Sequence, residues 1–292
     1  MPTTKTPLRY PGGKSQLVGL IREMIAFKRE PVATYVEPYC GGAGIAMRLL
    51  LSGEVERIAL NDADPGIFSF WYAVFNESER LVEKISEVPV NVATWQNIRQ
   101  ERAEILSGDV GSQYSFELGF QTFYLNRTTH SGIIDGGVLG GLHQQGKTKI
   151  DCRFNKGGLI NKIREIAAQR DRVSITCEDG VSFLKMFSAL ESSDLSEALV
   201  YLDPPYMKQG RYLYMNNMSQ TNHADLRDYL RGVRNFDWLL TYDDVELVRS
   251  LYAPFDLRGV NVRYSANRKG MAGEVAVFSE KFASFSTSLV VP

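Results

Sequence analysis

The sequence predicts an α/β protein with a mixed, mostly parallel sheet, and three observations lead to this prediction. Short apolar segments of strand length alternate with segments of helical periodicity, a pattern typical of strands joined by crossover helices. Two of the apolar segments run directly into distinctive turns, one glycine-rich at residues 40–44 and one proline-rich at residues 203–206. The alternation stops between about residues 67 and 159, so we expect an insertion there.

The individual elements follow from apolar periodicity and length. A first helix is predicted after Lys14, where apolar residues recur every three or four positions and form one buried stripe. Further helices are predicted near residues 44–51, 159–169, 181–190, 223–233 and 245–252. Seven strands are predicted near residues 34–37, 57–61, 173–177, 198–203, 238–242, 260–264 and 275–279.

The region that interrupts the alternation is helical at first and then rich in glycine and polar residues. Six glycines between residues 132 and 146 indicate a loop. We therefore predict a main domain formed by residues 1–68 and 160–292, and a mainly helical inserted domain of residues 69–159.

Composition indicates an ordinary soluble protein of 292 residues, with 44% hydrophobic and 23% charged residues. The net charge is −1 and the pI is about 6.4, so any surface for a polyanion must be local. Residues 126–172 are the best candidate, with nine Lys or Arg and four Asp or Glu. The alternative is that some of these charges, such as Arg164, Arg170 and Arg172, simply solvate a helix face.

Targeting and metal-binding signals are lacking in the sequence. No stretch approaches the roughly 18 apolar residues of a membrane span, and the N-terminus lacks the apolar core of a signal peptide, so we expect a cytoplasmic protein. The cysteines Cys40, Cys152 and Cys177 are odd in number and widely spaced, which argues against a disulfide framework and a zinc site. The histidines show no metal-ligand spacing, and we expect no metal.

The glycine-rich turn after the first predicted strand indicates a ligand site. Glycine lets a ligand approach the backbone, and the following helix offers free N–H groups; Gly41, Gly42 and Gly44 suit this role. The next strand ends at Asp62, where a carboxylate can bind ribose hydroxyls. A nicotinamide dinucleotide would satisfy this spacing too, but a full GxGxxG motif is missing, which favours a ligand without a pyrophosphate. The alternative is a tight turn that binds nothing.

The segment Asp203-Pro204-Pro205-Tyr206, at the end of a buried strand, is suited to hold the amino group of a nucleobase. Such an amino group is a poor nucleophile, because its lone pair is delocalised into the ring. A carboxylate and a backbone carbonyl can each accept one N–H, the prolines rigidify that carbonyl, and an aromatic ring can stack on a flipped base. The alternative is a proline-kinked turn whose Asp caps a helix.

Six motifs, spread over nearly the whole chain, resemble those of one family. They are LRYPGGK at residues 8–14, EPYCGGAG at 37–44, NDAD at 61–64, FYLNR at 123–127, DPPY at 203–206, and YSANR at 264–268 followed by GEV at 273–275. Their content and order resemble the Dam-type (D12 class) DNA adenine N6-methyltransferases. The resemblance implies a Rossmann-like methyltransferase domain that uses S-adenosyl-L-methionine, and an inserted target-recognition domain with a hairpin that approaches DNA. Residues 134–150 look longer than in the simplest Dam-type enzymes, which leaves the recognition sequence open.

The resemblance also implies which residues hold the cofactor. Tyr10 and Lys14 would close over its methionine end, Asp62 would bind the ribose, Asp179 would reach the adenine amino group, and Asp203 would lie beside both ligands. The alternatives are that Lys14 is a surface charge and that Asp179 is a helix N-cap. The glycine-rich motif supplies the rest of the implied set: Glu37, Pro38, Cys40, Gly41, Gly42 and Gly44.

For the reaction, the resemblance implies direct methyl transfer to N6 of adenine in duplex DNA. Asp203 and the carbonyl of Pro204, held rigid by Pro205, would accept the two N6 hydrogens. Tyr206 would stack on the flipped ring, and either Phe183 or Tyr212 would cover its opposite face. Base flipping is required because the target atom lies inside a duplex. The candidate DNA contacts are Asn126, Arg127, Lys147, Lys149 and Arg153.

Other functions remain as alternatives. N4 of cytosine or an RNA base could be methylated on the same scaffold, although Asp at the start of DPPY favours adenine. A non-catalytic DNA-binding protein would need a lost catalytic carboxylate or cofactor loop, and both are intact. DPPY has no role in a nicotinamide oxidoreductase. We expect a monomer that acts on double-stranded DNA, with a cognate restriction enzyme as a candidate partner; a restriction-modification enzyme, a solitary enzyme and a phage enzyme are not distinguished.

Overall fold

The structure is a computed structural model that describes residues 5–9, 17–108, 113–189, 195–206, 218–260, 273–288 and 290–291. Within these residues, one sheet contains eight strands in the order β3-β2-β1-β4-β5-β7-β6-β8. The strands are β1 (Thr34–Glu37), β2 (Arg57–Asn61), β3 (Val173–Thr176), β4 (Ala198–Leu202), β5 (Asp237–Asp243), β6 (Asp256–Val260), β7 (Glu274–Phe278) and β8 (Val290–Val291).

The predicted mixed, mostly parallel sheet is confirmed. Strands β3, β2, β1, β4 and β5 pair in parallel, whereas β7 pairs antiparallel with both β5 and β6. The sixth strand lies a few residues before the predicted range 260–264, of which residues 261–264 lie outside the described part of the chain. Its own sequence contains two charges and Gly259, so pairing with β7, rather than its local pattern, makes it a strand.

The described residues contain ten α-helices: the first two and the last four lie close to the individually predicted positions, and the other four fall in or at the edge of the region predicted only as helical. The ten helices are α1 (Leu17–Phe27), α2 (Gly44–Leu51), α3 (Pro65–Asn76), α4 (Ser78–Glu87), α5 (Val92–Ser107), α6 (Phe116–Thr128), α7 (Lys156–Ala167), α8 (Gly180–Ser188), α9 (Gln220–Gly232) and α10 (Glu246–Leu251). Side chains at several N-termini explain where helices begin: Asp64 accepts from the backbone N–H groups of Gly66 and Ile67 at the start of α3, as an N-cap residue does.

A hydrophobic core covers each face of the sheet. Successive residues of a strand point to opposite faces, so Tyr35 and Leu199 lie in one core while their neighbours Val36 and Val200 lie in the other. The second core is completed by α8, α9 and α10. The first contains α1 and α2 and extends without interruption into helices α3 to α7.

Helices α3 to α6 form the helical part of the predicted insertion. Helix α6 crosses α3 at backbone contact, because a Cβ atom at Gly119 would lie 2.6 Å from the backbone carbon of Ser69. Next to this crossing, the rings of Phe70 and Phe123 stack with centroids 5.6 Å apart. Helix α3 spans the predicted boundary at residue 68, and the division into residues 1–68 with 160–292 and residues 69–159 remains a prediction.

Neither a membrane-spanning helix nor a cluster of metal ligands is found in the part of the chain that the structure describes. None of the helices in the described ranges has the length and apolar character needed to span a membrane. In the same ranges, His, Cys, Asp and Glu side chains form no group of three or more that could hold a metal ion.

Candidate functional site

The predicted site residues gather at the edge where the parallel strands end. Strands β1 and β4 are neighbours at the centre of the sheet; from β1 the chain continues to β2 on one side, and from β4 to β5 on the other. A crevice at such a reversal of strand order is the usual ligand site of an open α/β sheet. The glycine turn, defined here as residues 40–44, follows β1, and DPPY follows β4. The fold therefore brings the two motifs to one edge.

The glycine turn is held in a conformation that presents its backbone. Gly41 has φ of 44°, a region that glycine occupies without a steric penalty. Its N–H donates to Oδ2 of Asp62 at 2.8 Å, and its carbonyl accepts from the indole N–H of Trp71 at 2.8 Å. The carbonyl of Gly42 accepts from the Thr6 hydroxyl at 2.5 Å. Residues from three distant parts of the chain thus shape the turn.

Glu37, Pro38 and Cys40 form the frame of this turn. The buried carboxylate of Glu37 accepts from the N–H of Ala46 at 3.2 Å, in the first turn of α2, whose N-cap residue makes no side-chain hydrogen bond. Burial raises the pKa of Glu37 to about 8, and the nearby Asp203 charge raises it too. The Pro38 carbonyl accepts from the amide of Asn61 at 2.9 Å, and burial raises the pKa of the Cys40 thiol well above its ordinary value.

Asp62 lies directly under the glycine turn. Its Oδ1 accepts from the N–H of Asp64 at 3.0 Å, while Oδ2 binds Gly41. Burial, followed by the Asp64 charge, raises the pKa of Asp62 to about 7. The carboxylate predicted to bind a ribose therefore lies beside the backbone predicted to approach the same ligand.

Asp179 is the N-cap of α8. Its Oδ1 accepts from the N–H groups of Val181 at 3.0 Å and Ser182 at 3.1 Å, so the capping role offered as an alternative is present. The side chain is exposed, and its predicted contact with the cofactor remains a proposal.

Sequence reasoning did not assign a role to Tyr39. Its ring packs on Gly180, where a Cβ atom would lie 2.4 Å from the ring. Among the described residues, the buried Tyr39 hydroxyl has no hydrogen-bond partner, and its pKa is raised by burial and by the charge of Asp179. The feature of the sequence that could have indicated a role for Tyr39 is its position within the motif EPYCGGAG.

At DPPY, two side chains are held by neighbouring strands. Oδ1 of Asp203 accepts from the Thr241 hydroxyl of β5 at 3.3 Å. The Tyr206 hydroxyl donates to Oε1 of Glu274, the first residue of β7, at 2.8 Å. The sequence analysis includes Glu274 only as part of the motif GEV at residues 273–275. Nothing in the sequence around it indicates that Tyr206 is its partner. Pro204 and Pro205 lie between the two anchored side chains.

Of the two residues predicted to cover the opposite face of the base, only Phe183 lies among the residues that the structure describes. Phe183 is buried in the second core, with its ring centroid 6.2 Å from that of Phe187, and its role at the base remains a prediction. Tyr212 lies outside the described residues, as do Tyr10 and Lys14.

The structure places Asn126 differently from the prediction. Its side chain is completely buried, and it binds the backbone of Arg9 and the carbonyl of Gly132. This burial does not fit a direct DNA contact, because the amide is used inside the protein. The prediction failed because FYLNR has no local feature that separates a buried amide from an exposed one.

Arg127 is half buried and lies in a group of like charges. Its guanidinium donates to the Pro7 carbonyl at 3.4 Å. Burial, followed by the charges of Arg9 and Arg153, lowers the pKa of Arg127 to about 10. Burial, together with the Arg153 charge, also lowers the pKa of Arg9. Mutual repulsion of this kind is relieved when an anion binds.

The hairpin implied by the resemblance remains a prediction, and the insertion loop, defined here as residues 129–150, contains one isolated bridge at its start. An antiparallel bridge joins Thr129 to Val138. The Gln144 side chain then orders the rest of the loop, since its amide donates to the carbonyls of Leu139 and Gly141 and its oxygen accepts from Ile150. Lys147, Lys149 and Arg153 are exposed, and Lys149 donates to the Gln144 carbonyl.

Other basic residues of the 126–172 segment serve the fold. Arg164 pairs with Glu79 at 2.9 Å on the protein surface. Arg172 donates to the carbonyls of Glu56 and Val55, both at 2.7 Å. For these two residues, the interpretation as structural surface charges is the one that the structure supports.

Known proteins resemble the chain over most of its length. The family model for D12 class N6 adenine-specific DNA methyltransferases matches residues 10–266. The Type II methyltransferase M.MjaIII of Methanocaldococcus jannaschii is 22% identical over 279 residues, which cover 90% of this chain and 93% of that protein. Two structures of the rRNA methyltransferase aviRa from Streptomyces viridochromogenes, both 15% identical, cover 92% of this chain and 85% and 86% of theirs, with TM-scores of 0.40 and 0.41. At these TM-scores we draw no conclusion from them.

Proposed function

Because this chain belongs to the D12 class N6 adenine-specific DNA methyltransferase family, we propose that it methylates N6 of adenine at a specific sequence in duplex DNA, with S-adenosyl-L-methionine as methyl donor. The observation that carries the proposal is the position of DPPY beside the glycine turn, at the ends of adjacent strands β4 and β1. The charge of Asp203 raises the pKa of Glu37 at the end of β1, which is consistent with a base site and a cofactor turn that are neighbours.

The residues around the glycine turn fit the proposed cofactor. Asp62 and Asp179 are carboxylates suited to ribose hydroxyls and an adenine amino group. The buried Tyr39 hydroxyl, which has no hydrogen-bond partner within the described ranges, adds a polar group beside them. When bound, the cofactor supplies a methyl group already activated by its sulfonium leaving group. The protein therefore needs accurate positioning more than a strong base. We also assign Tyr10 and Lys14, from the family motif, to this site.

DPPY would orient the target amino group. The Asp203 carboxylate and the Pro204 carbonyl accept its two hydrogens, which draws the nitrogen lone pair out of conjugation and toward the methyl group. Pro205 keeps the carbonyl rigid. The Tyr206 ring stacks on the flipped adenine, and its hydroxyl contact with Glu274 limits the positions that the ring can take.

DNA would lie along the insertion loop and the C-terminal end of α6, which carries Arg127. Lys147, Lys149 and Arg153 are exposed there, and Arg127 lies in the like-charged group that includes Arg9. Phosphate contacts of this kind supply affinity but no sequence information. The flipped base would be drawn from the duplex toward DPPY.

The proposed setting is the cytoplasm, with the protein acting as a monomer. Since one relative is named a type II methyltransferase, protection of DNA against a cognate restriction enzyme is the role that we propose for the modification.

The decisive experiment incubates the purified protein with unmethylated duplex DNA and S-adenosyl-L-methionine. The products are then analysed by nucleoside mass spectrometry and methylation-aware sequencing. We expect N6-methyladenine in one short sequence. N4-methylcytosine would contradict the proposed substrate, and cofactor binding without any DNA product would contradict the proposed reaction in favour of an RNA substrate or a non-catalytic role.

A further inference from the structure

The buried amide of Asn126 joins three backbone groups from two segments. Its Oδ1 accepts from the N–H of Arg9 at 2.7 Å, and its Nδ2 donates to the carbonyls of Arg9 at 2.7 Å and Gly132 at 2.9 Å. Oδ1 and both Nδ2 hydrogens of this amide are thus engaged with main chain. Asn126 therefore binds the N-terminal segment, defined here as residues 5–9, to the start of the insertion loop.

These two segments also meet without any side chain between them. Gly132 has φ of 79°, and a Cβ atom there would lie 2.3 Å from the Arg9 carbonyl oxygen. The Arg9 guanidinium donates to the Thr129 carbonyl at 3.3 Å. A displacement of residue 9 must therefore be accompanied by a displacement of the loop, or the contact is lost.

The other end of the N-terminal segment touches the glycine turn. The Thr6 hydroxyl donates to the Gly42 carbonyl and accepts from the N–H of Leu8 at 3.3 Å. The Thr6 methyl group would make ordinary van der Waals contact, at 3.8 Å, with a Cβ atom at Gly44. One short segment thus touches both the proposed cofactor turn and the loop proposed to meet DNA.

We infer that Asn126 is a positioning residue that couples cofactor binding at the glycine turn to DNA binding at the insertion loop, acting through Thr6 and Arg9. This inference rests on the proposed function, since it concerns the same two ligands. Ordering of the N-terminal segment by either ligand fixes the surface used by the other, so each ligand raises the affinity for the other by the same factor.

The test measures this factor directly. The dissociation constant of S-adenosylhomocysteine, an unreactive probe for the cofactor site, is measured with and without saturating duplex DNA. This DNA contains the protein's target sequence in unmethylated form. For the wild-type protein we expect DNA to increase the affinity for S-adenosylhomocysteine about tenfold. In Asn126→Ala, the factor should fall toward one.

Two further variants separate coupling from a general loss of packing. Tyr124→Phe removes another buried hydrogen bond of α6, from the Tyr124 hydroxyl to the Pro89 carbonyl at 3.0 Å, and should keep the wild-type factor. Thr6→Val breaks the link at its other end, on a partly exposed residue, and should lower the factor even if Asn126→Ala fails to fold. In the double variant, Thr6→Val should have no further effect, because both changes interrupt one connection.

Hydrogen exchange provides a readout that does not need ligands. Asn126→Ala should increase exchange in residues 5–9 and 129–141 together, whereas Tyr124→Phe should leave both protected. If the factor persists in Thr6→Val, or if the wild-type protein binds both ligands without coupling, the inference is wrong and the proposed function stands. A wild-type protein that binds neither ligand would refute the proposed function and the inference with it.

Discussion

The Tyr206 hydroxyl donates a hydrogen bond to the Glu274 carboxylate at 2.8 Å, across 68 positions of sequence. This contact ties the last residue of DPPY to β7, the antiparallel strand between β5 and β6. Glu274 is buried, so losing this hydrogen bond to its carboxylate would be costly. The ring proposed to stack on the base is therefore held by the sheet as well as by its own turn.

Two substitutions at Tyr206 separate its ring from its hydroxyl. Tyr206→Phe keeps the ring and removes the bond to Glu274, so we expect a several-fold loss of kcat/KM, equivalent to about 1 kcal/mol. Tyr206→Ala also removes stacking, and should cost a further 1–3 kcal/mol or so. Methylation kinetics, with fluorescence of 2-aminopurine at the target position to monitor flipping, distinguish the two. Equal losses in both variants would argue against a stacking role.

Asp203→Ala should abolish methyl transfer and spare the fold. The residue lies just beyond the end of β4 and is partly exposed, so little packing is lost. We expect kcat to fall by roughly a hundredfold or more, as when a polar group that stabilises a transition state is removed. Thr241→Val, which deletes the hydroxyl that donates to Asp203, should have a smaller effect. Near-wild-type turnover in Asp203→Ala would refute the proposed pocket.

The stability of the unliganded protein should fall as the pH rises through the neutral range. Burial raises the pKa of Glu37 from 4.5 to about 8, so the folded state holds this proton more tightly than the unfolded chain does. The free energy of unfolding therefore declines between these two values, and Asp62, with its pKa raised to about 7, adds a decline of the same sign.

Glu37→Gln checks this origin. The variant retains an acceptor for the N–H of Ala46 but cannot titrate, so urea unfolding at about pH 6 and about pH 9 should show a smaller loss than in wild type. Glu79→Gln is the control, because pairing with Arg164 lowers the pKa of that exposed carboxyl and places its titration below this window. An unchanged loss in Glu37→Gln would mean that other groups cause it.

Lys147→Ala should weaken DNA binding to all sequences alike. A lost phosphate contact also reduces the slope of log affinity against log salt concentration by about 1. Lys185, exposed on α8 on the opposite side of the sheet, provides the matched control in Lys185→Ala. Titrations of specific and unrelated duplexes at several salt concentrations measure both effects. A changed sequence preference would instead identify Lys147 as a base contact.

Gly180→Ala should weaken cofactor binding by displacing Tyr39, since the added methyl group would lie 2.4 Å from its ring. Gly232→Ala is the control, because a Cβ atom there meets nothing within 4 Å. We expect Gly180→Ala to lower affinity for S-adenosylhomocysteine several-fold, as measured by calorimetry, and Gly232→Ala to leave it unchanged. Equal affinities would show that the position of Tyr39 does not matter for this ligand.

The α/β class, most of the strands and helices, the glycine turn and DPPY could all be predicted from the amino-acid sequence. These features depend on residues adjacent in the chain, such as the apolar run of β4 and the four residues that follow it. The weak strand β6 was placed a few residues late, because its pairing with β7 is not visible in its own composition.

The roles of residues whose partners are distant in the chain depend on the tertiary fold and could not be predicted. Asn126 lies 117 positions from Arg9, and its amide is buried because α6 brings it against the N-terminal segment. Glu274 reaches Tyr206 because β7 inserts beside β5. Periodicity reports which face of an element is apolar, but the choice between a buried amide and a DNA contact depends on which segment covers it, and that is set by packing.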